Sequence, residues 1–143
     1  MVIALIGESC TGKSTIAQRL KAALGAPVYS GKDYLRLAKS EQEARAKFKE
    51  LLNGPETVVY VISEREHLDL LPEHCLRVLV TADIALIKER FSRRTGGVLP
   101  PPVAKMLESR HGMFDALPHD LKIVSGEEDA DAACAKILAL LGR

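Results

Sequence analysis

The sequence predicts an α/β fold in which helices cover both faces of a parallel sheet of about five strands. Three observations support this expectation. Apolar runs of strand length alternate along the chain with stretches whose apolar residues recur at helical spacing. The run at 57–62 is continuously apolar, which is typical of a strand buried on both faces. A glycine-containing loop, residues 7–14, directly follows the first apolar run.

The elements of the first half follow from apolar spacing and from the residues that end each run. We expect a strand at Val2–Ile6 and a helix at Lys13–Leu24, with Gly25 capping its C-terminus. A short strand at 27–29 precedes a turn, and Asp33 then caps a second helix that ends at 53–55. The third strand is predicted at 57–62.

The second half repeats the alternation with one interruption. A short helical piece at 66–71 separates the third strand from a fourth at 76–80. A helix from Ile84 runs to about residue 94, where glycines and three successive prolines at 95–102 end it. Helical spacing resumes from Val103 to Phe114. A last strand at 121–124 and an amphipathic helix at 133–141 complete the chain.

The loop after the first strand fits the phosphate-binding pattern G-x-x-x-x-G-K-[ST]. Backbone amides of such a loop cradle phosphate oxygens at a helix N-terminus; Lys13 would reach the β- and γ-phosphates, and Ser14 would ligate Mg²⁺. The sequence therefore predicts a three-layer P-loop NTPase fold that uses ATP and Mg²⁺. The expected nucleotide-binding residues are Gly7, Glu8, Ser9, Cys10, Thr11, Gly12, Lys13, Ser14 and Thr15.

Size and charge limit the remaining possibilities. The chain of 143 residues has room for one domain, 1–143, and its net charge of +1 gives no basic field for nucleic acid. No apolar run is long enough to suggest a membrane span. The three cysteines are far apart and match no metal spacing, so we expect a reducing cytoplasm. The four histidines show no ligand spacing, which favours surface or packing roles.

Three further stretches resemble the nucleoside monophosphate kinase family, of which adenylate kinase is the archetype. Tyr29–Arg36 resembles the segment I-S-T-G-D-M-L-R of adenylate kinases. Lys88–Arg94 is similar to the family's helix that runs into its LID. Residues 124–128, before the last helix, resemble the strand-end loop that packs beside adenine. Together with the P-loop, these stretches span nearly the whole chain in the family's order.

The resemblance implies roles for particular residues. Arg36 would bind the acceptor's phosphate, and Arg90 and Arg94 would hold the donor and transferring phosphates. Residues 95–110 would form a short LID-like flap, and residues 30–55 the acceptor side. Arg90 and Arg94 are four residues apart and share one helix face, which suits a reaction whose moving phosphoryl group needs several cations around it.

The sequence does not identify the acceptor, because the family's D-G-F-P-R signature is missing. Here the third strand ends in Ser63-Glu64, and Glu64 is a candidate for orienting Mg²⁺ through water. Small-metabolite kinases of the gluconate and shikimate type share the fold, and in them an aspartate at the position of Asp33 faces the acceptor hydroxyl. Two interpretations therefore stand beside a nucleoside monophosphate kinase: a small-metabolite kinase, and an ATP-binding regulatory switch with little turnover. The sequence does not predict an oligomeric state.

Overall fold

The computed structural model describes residues 1–142. Its strands are β1 (Val2–Ile6), β2 (Val28–Ser30), β3 (Val58–Ile62), β4 (Cys75–Ala82) and β5 (Leu121–Ser125). Its α-helices are α1 (Lys13–Leu24), α2 (Glu41–Leu52), α3 (Ile84–Arg94), α4 (Pro101–Arg110) and α5 (Ala130–Leu140). Two 3-10 helices occupy Asp33–Leu37 and Arg65–Leu70. The strands form one parallel sheet in the order β2-β3-β1-β4-β5, which confirms the predicted fold.

The sheet is covered by helices on both faces. Ile3 and Leu5 pack against α1 and α5, whereas Val2, Ala4 and Ile6 pack on the opposite face with α2 and the two 3-10 helices. Every residue of β1 and β3 is buried, which is why both strands are continuously apolar in the sequence. A smaller cluster joins α3 and α4 through Ile87 and Leu107.

The segment after β2 differs from the single helix that the sequence predicts, and that prediction was wrong. The extended backbone of Ala38 separates the 3-10 helix from α2. Ser40 is the N-cap of α2, and its hydroxyl accepts a hydrogen bond from Glu43 N at 3.2 Å. Asp33 caps no helix, because its Oδ2 instead accepts a hydrogen bond from Ser30 N at 2.8 Å and closes the turn after β2. Tyr34 stacks on Phe48 of α2, with ring centroids 5.5 Å apart.

The helical spacing predicted from Val103 to Phe114 was also wrong at both ends. Helix α4 begins earlier because Pro101 and Pro102 occupy its first turn, where a missing N–H has no consequence. It ends at Arg110, since His111 is extended and Gly112 has a φ of 79°. Phe114 is buried on the α2 face of the sheet from a turn rather than from a helix.

The sheet topology brings several loops to one edge. Strand β1 lies between β3 and β4, and Ile6 is in register with Ile62 and Leu79. The loops that follow the strands therefore meet beside the carboxyl end of β1, where ligands of open α/β sheets bind. These loops carry the P-loop, the turn after β2 and the Ser63-Glu64 dipeptide.

Candidate functional site

The P-loop is fixed at its start by a close backbone approach. Gly7 N donates a hydrogen bond to Ile62 O at 3.1 Å, and a Cβ atom on Gly7 would lie 2.2 Å from Val80 O. Only glycine fits between the two neighbouring strands. Further along, Cys10 and Gly12 have φ values of 67° and 95°. Left-handed residues of this kind turn successive N–H groups toward one concavity, which forms an anion-binding nest.

Lys13 lies beneath this loop, and only 4% of the residue is exposed. Its ammonium donates hydrogen bonds to Gly7 O at 2.7 Å and to Glu8 O at 2.5 Å. Burial lowers the pKa of Lys13 to about 8, with a smaller contribution from the Arg94 guanidinium; Cys10 and Glu8 act in the opposite direction. The ammonium group of Lys13 therefore lies at the loop, where little water is present to stabilise its charge.

Two clefts border the P-loop. The larger, of about 570 Å³, runs past Arg90 to the loop between β5 and α5, including Ser125 and Glu127. The smaller, of about 310 Å³, contains Lys13 and Ser14 and extends to Ser63 and His67. The residues that line both clefts are Cys10, Gly12, Thr15 and Arg94. The two clefts thus meet at the phosphate loop.

Arg90 and Arg94 share a helix face, as their spacing predicts, but their surroundings differ. Arg90 donates hydrogen bonds to Cys10 O at 3.1 Å and to Ser125 Oγ at 2.9 Å, and so ties α3 to the P-loop and to the end of β5. Within residues 1–142, the Arg94 side chain has no hydrogen-bond or ion-pair partner, and it is exposed where the clefts meet.

The residues predicted on the acceptor side are only partly brought together. Glu64 lines the smaller cleft, and its Oε1 lies 3.4 Å from Arg110 Nη1. Asp33 bonds to the backbone of Ser30, a residue that lines the cleft, but the Asp33 side chain is not part of that lining. The Arg36 guanidinium lies over the Tyr29 ring, 4.8 Å from its centroid, and is likewise outside the lining.

Sequence reasoning missed the contacts of Glu8. Although this residue is a variable position of the P-loop pattern, its side chain is buried, and it accepts a hydrogen bond from Gly112 N at 2.9 Å. His111 Nδ1 lies 3.0 Å from the other carboxylate oxygen. No sequence signal indicates this contact, because the partners are more than 100 residues apart.

The sequence predicts a surface or packing role for His67, and the structure buries this residue. The residue is 3% exposed, and both ring nitrogens are buried without a hydrogen-bond partner among the described residues. The residue borders the smaller cleft. Burial lowers the pKa of His67 below 6.5. The available signal was its position three residues before the buried Leu70, which places both residues on one side of the 3-10 helix.

Neither a metal cluster nor a membrane-spanning helix is found within residues 1–142. No group of three or more His, Cys, Asp and Glu side chains in that range is arranged to hold a metal ion. No helix in the same range combines the length and apolarity that crossing a bilayer requires.

The sequence matches no protein-family model and no curated protein. The fold, however, is similar to solved structures of P-loop kinases. One is a gluconokinase from Sinorhizobium meliloti, with 19% identity, a TM-score of 0.67, and coverage of 99% of this chain and 91% of that chain. A second is deoxyadenosine kinase from M. mycoides with bound dATP, with 16% identity, a TM-score of 0.63 and full coverage of both chains (100% and 100%).

A third similar structure is the YorR protein of Bacillus subtilis in complex with phosphorylated GDP. Its identity to this chain is 22% and its TM-score is 0.71, with coverage of 99% of this chain and 96% of that chain. At these identities the similarity shows the fold. The chain therefore has a P-loop kinase fold, and its chemistry must be argued from its own residues.

Proposed function

We propose that this protein is an ATP-dependent phosphotransferase that moves the γ-phosphoryl group to a small hydroxyl-bearing acceptor. The observation that carries the proposal is the meeting of two clefts at one phosphate loop, with Arg94 exposed in both. A protein that only binds a nucleotide needs one cleft, whereas transfer between two molecules needs two that converge. The similar structures include a gluconokinase and a deoxyadenosine kinase, which supports the same reaction class.

The residues of the loop suit a magnesium-bound triphosphate. The left-handed conformations of Cys10 and Gly12 support an anion nest, and Lys13 lies at its base. The Ser14 side chain is exposed in the smaller cleft, where Glu64 also lies, so these two side chains would hold Mg²⁺ directly and through water. When bound, Mg²⁺ neutralises charge on the phosphate oxygens. Lys13 and Arg94 add cationic charge around the same group.

The donor's base would occupy the larger cleft. There the loop between β5 and α5 faces the N-terminal part of α1, and Ile16 and Ala133 supply an apolar floor. Arg90 borders this cleft and fixes its wall through Ser125. This arrangement supports the sequence-based expectation that residues 124–128 lie beside the adenine.

Residues 95–100 and α4 would form a flap over the reacting groups. Gly96 and Gly97 have φ values of 75° and 90°, and no atom lies within 4 Å of a Cβ placed on either glycine. Val98 and Met106 are exposed, apolar residues of the flap. Closure would exclude water from the phosphates, which a kinase requires to avoid hydrolysing ATP.

The smaller cleft favours a hydroxylated metabolite as the acceptor. Beyond the P-loop residues, its polar lining includes the hydroxyl-bearing residues Ser30 and Ser63 together with Glu64 and His67. Within residues 1–142, no exposed aromatic face, on which a base could stack, is part of the lining, and the buried Tyr34 and Tyr60 are outside it. A nucleoside monophosphate remains the second candidate. The exposed Arg36 beside the turn after β2 would bind its phosphate only after leaving Tyr29.

The test is ADP release from ATP and Mg²⁺ with a panel of sugar acids, polyols, nucleosides and nucleoside monophosphates. We expect one class of acceptor to stimulate ADP release strongly. Lys13→Ala should lower that rate by at least about 100-fold, as loss of one transition-state cation or donor does elsewhere. Lys39→Ala, which removes an exposed lysine outside both clefts, is the matched control. ATP binding with no turnover would instead support a regulatory switch, and full activity of Lys13→Ala would contradict the proposal.

A further inference from the structure

We propose that His67 is an acceptor-binding residue, whose imidazole forms a hydrogen bond with a hydroxyl group of the molecule held in the smaller cleft. The inference rests on the proposed function and specifies one determinant of acceptor choice at that site.

The first argument is the free-energy cost of burying the His67 ring without hydrogen bonds. Both Nδ1 and Nε2 are buried, and neither has a hydrogen-bond partner among the described residues. The nearest carboxylate oxygen, Oε1 of the exposed Glu66, lies 3.5 Å from Nε2. An unsatisfied buried donor or acceptor costs about 1–3 kcal/mol, which a leucine or phenylalanine in the same place would avoid. Packing alone therefore does not explain a histidine at this position.

The second argument is where the ring lies. His67 borders the same cleft as Lys13 and Ser14, so a molecule that reaches the phosphate loop through this cleft passes beside it. Both ring nitrogens are covered in this structure, so the contact requires neighbouring groups to move aside when the acceptor binds. A Cβ atom on Gly31 would lie 3.9 Å from His67 Cε1, so the glycine leaves the space beside the ring open. Gly31 is itself fixed, because Tyr60 donates its hydroxyl to Gly31 O at 2.8 Å.

The surroundings also fix the orientation of the imidazole. The Tyr34 ring meets it nearly edge-on at a centroid distance of 6.2 Å, and the Tyr60 ring lies 6.4 Å away. A ring held between two tyrosines presents its polar atoms in a defined direction. This arrangement suits recognition of one particular group better than a flexible contact on the surface would.

The chemistry of the ring points to a hydroxyl rather than to an anion. Burial lowers the pKa of His67, and Lys32 and Arg45 act in the same direction, whereas the carboxylates of Glu66 and Glu64 oppose them. The neutral imidazole has one N–H donor and one acceptor nitrogen. A hydroxyl can pair with either atom, while a phosphate or carboxylate would gain no ionic attraction here. Ser30 and Ser63, which border the same cleft, are also partners for hydroxyl groups.

The experiment compares His67→Phe and His67→Gln with the wild type, using the acceptor that the panel identifies. His67→Phe should raise the acceptor KM about 3–10-fold, the equivalent of one net hydrogen bond, and leave the ATP KM unchanged. His67→Gln should retain part of the affinity, because its amide supplies a donor and an acceptor. His74→Phe, at an exposed position outside the smaller cleft, is the control.

The stability of His67→Phe separates binding from packing. If His67 serves acceptor binding rather than packing, the phenylalanine variant should unfold at an equal or higher denaturant concentration than the wild type. Its acceptor KM should rise at the same time. Unchanged acceptor KM values in both variants would overturn the inference while leaving the kinase proposal intact. Absence of acceptor-dependent ADP release in the wild type would instead overturn the proposed function, and the inference with it. If the phenylalanine variant does not fold, two measurements decide the question. One is the acceptor KM of the glutamine variant, and the other is the imidazole ¹⁵N shifts of wild-type His67 when the acceptor is added. Shifts that do not move would overturn the inference.

Discussion

The carboxylate of Glu8 joins the phosphate loop to the turn that follows α4: Oε2 accepts a hydrogen bond from Gly112 N at 2.9 Å, and Oε1 lies 3.0 Å from His111 Nδ1. The last residue of α4 and the same turn also contact the segment after β3. Arg110 pairs with Glu64, and Arg65 donates to Met113 O. The C-terminal end of α4 is therefore fixed to the loops of two strands, whereas residues 95–100 at its other end are mostly exposed. Any movement of the flap should begin at that exposed end.

We expect Glu8→Ala to destabilise the protein, because it leaves the Gly112 amide and the His111 ring without their shared acceptor. The free energy of unfolding should fall by about 1–3 kcal/mol, measured by urea denaturation. Glu50→Ala, which removes an exposed carboxylate from α2, is the control and should change it by less than about 0.5 kcal/mol. Equal effects of the two substitutions would show that the Glu8 contacts contribute nothing to stability.

Arg90 and Arg94 allow a matched comparison on one helix face. Arg94→Ala should lower kcat more than it raises the ATP KM, with no loss of stability, because the Arg94 side chain has no partner within residues 1–142. Arg90→Ala should also reduce stability, since it frees Cys10 O and Ser125 Oγ. Steady-state kinetics and thermal unfolding of both variants test this. A change confined to the ATP KM in Arg94→Ala would assign that residue to docking alone.

Much of the fold could be predicted because it depends on local pattern. Consecutive residues are enough to predict the buried strands β1 and β3 and the Gly25 cap of α1. The structure contains this cap, in which Gly25 N donates a hydrogen bond to Lys21 O at 2.9 Å. The break at Ala38 was missed because apolar spacing continues across it, from Leu37 to Ala44. The Ser40 N-cap with Glu43 three residues later was the local signal for a second helix start.

The residues of the site also divide into those that a local pattern predicts and those that it does not. The P-loop is a contiguous pattern, so its residues and their expected part in phosphate binding could be predicted together. Glu8 and His67 could not, because their significance depends on distant groups: one contacts residue 112, and the other lies beside Gly31 and Tyr60. Arg36 is a different case. Its segment resembles the family's and predicts that Arg36 binds phosphate, whereas in this structure its guanidinium packs on Tyr29.

The pKa of Lys13 predicts a pH dependence of donor binding. Because burial lowers this pKa to about 8, the free protein loses the ammonium charge as the pH rises through that value. The kcat/KM for ATP reports groups of the free protein and should therefore fall above about pH 8. Rates at saturating ATP should fall at higher pH, because bound phosphates favour the charged form. Initial rates between about pH 6.5 and 9.5 test this, and a flat kcat/KM profile would contradict it.

The lowered pKa of His67 predicts a loss of stability in mild acid. The unfolded chain takes up a proton on this residue as the pH falls below about 6.5, but the folded chain does so only at lower pH. The free energy of unfolding should therefore decrease from neutral pH downward and stop decreasing below the folded-state pKa. The loss is at most about 1.4 kcal/mol for each pH unit that separates the pKa of the folded chain from that of the unfolded chain. Glu66 and Glu64 reduce this loss, whereas Lys32 and Arg45 increase it.

Urea denaturation of the wild type and of His67→Gln between about pH 5 and 8 measures the difference. His119→Gln, at an exposed position, is the control. The wild-type and His67→Gln curves should diverge as the pH falls, whereas parallel curves would show that His67 is protonated equally well in the folded and unfolded chain.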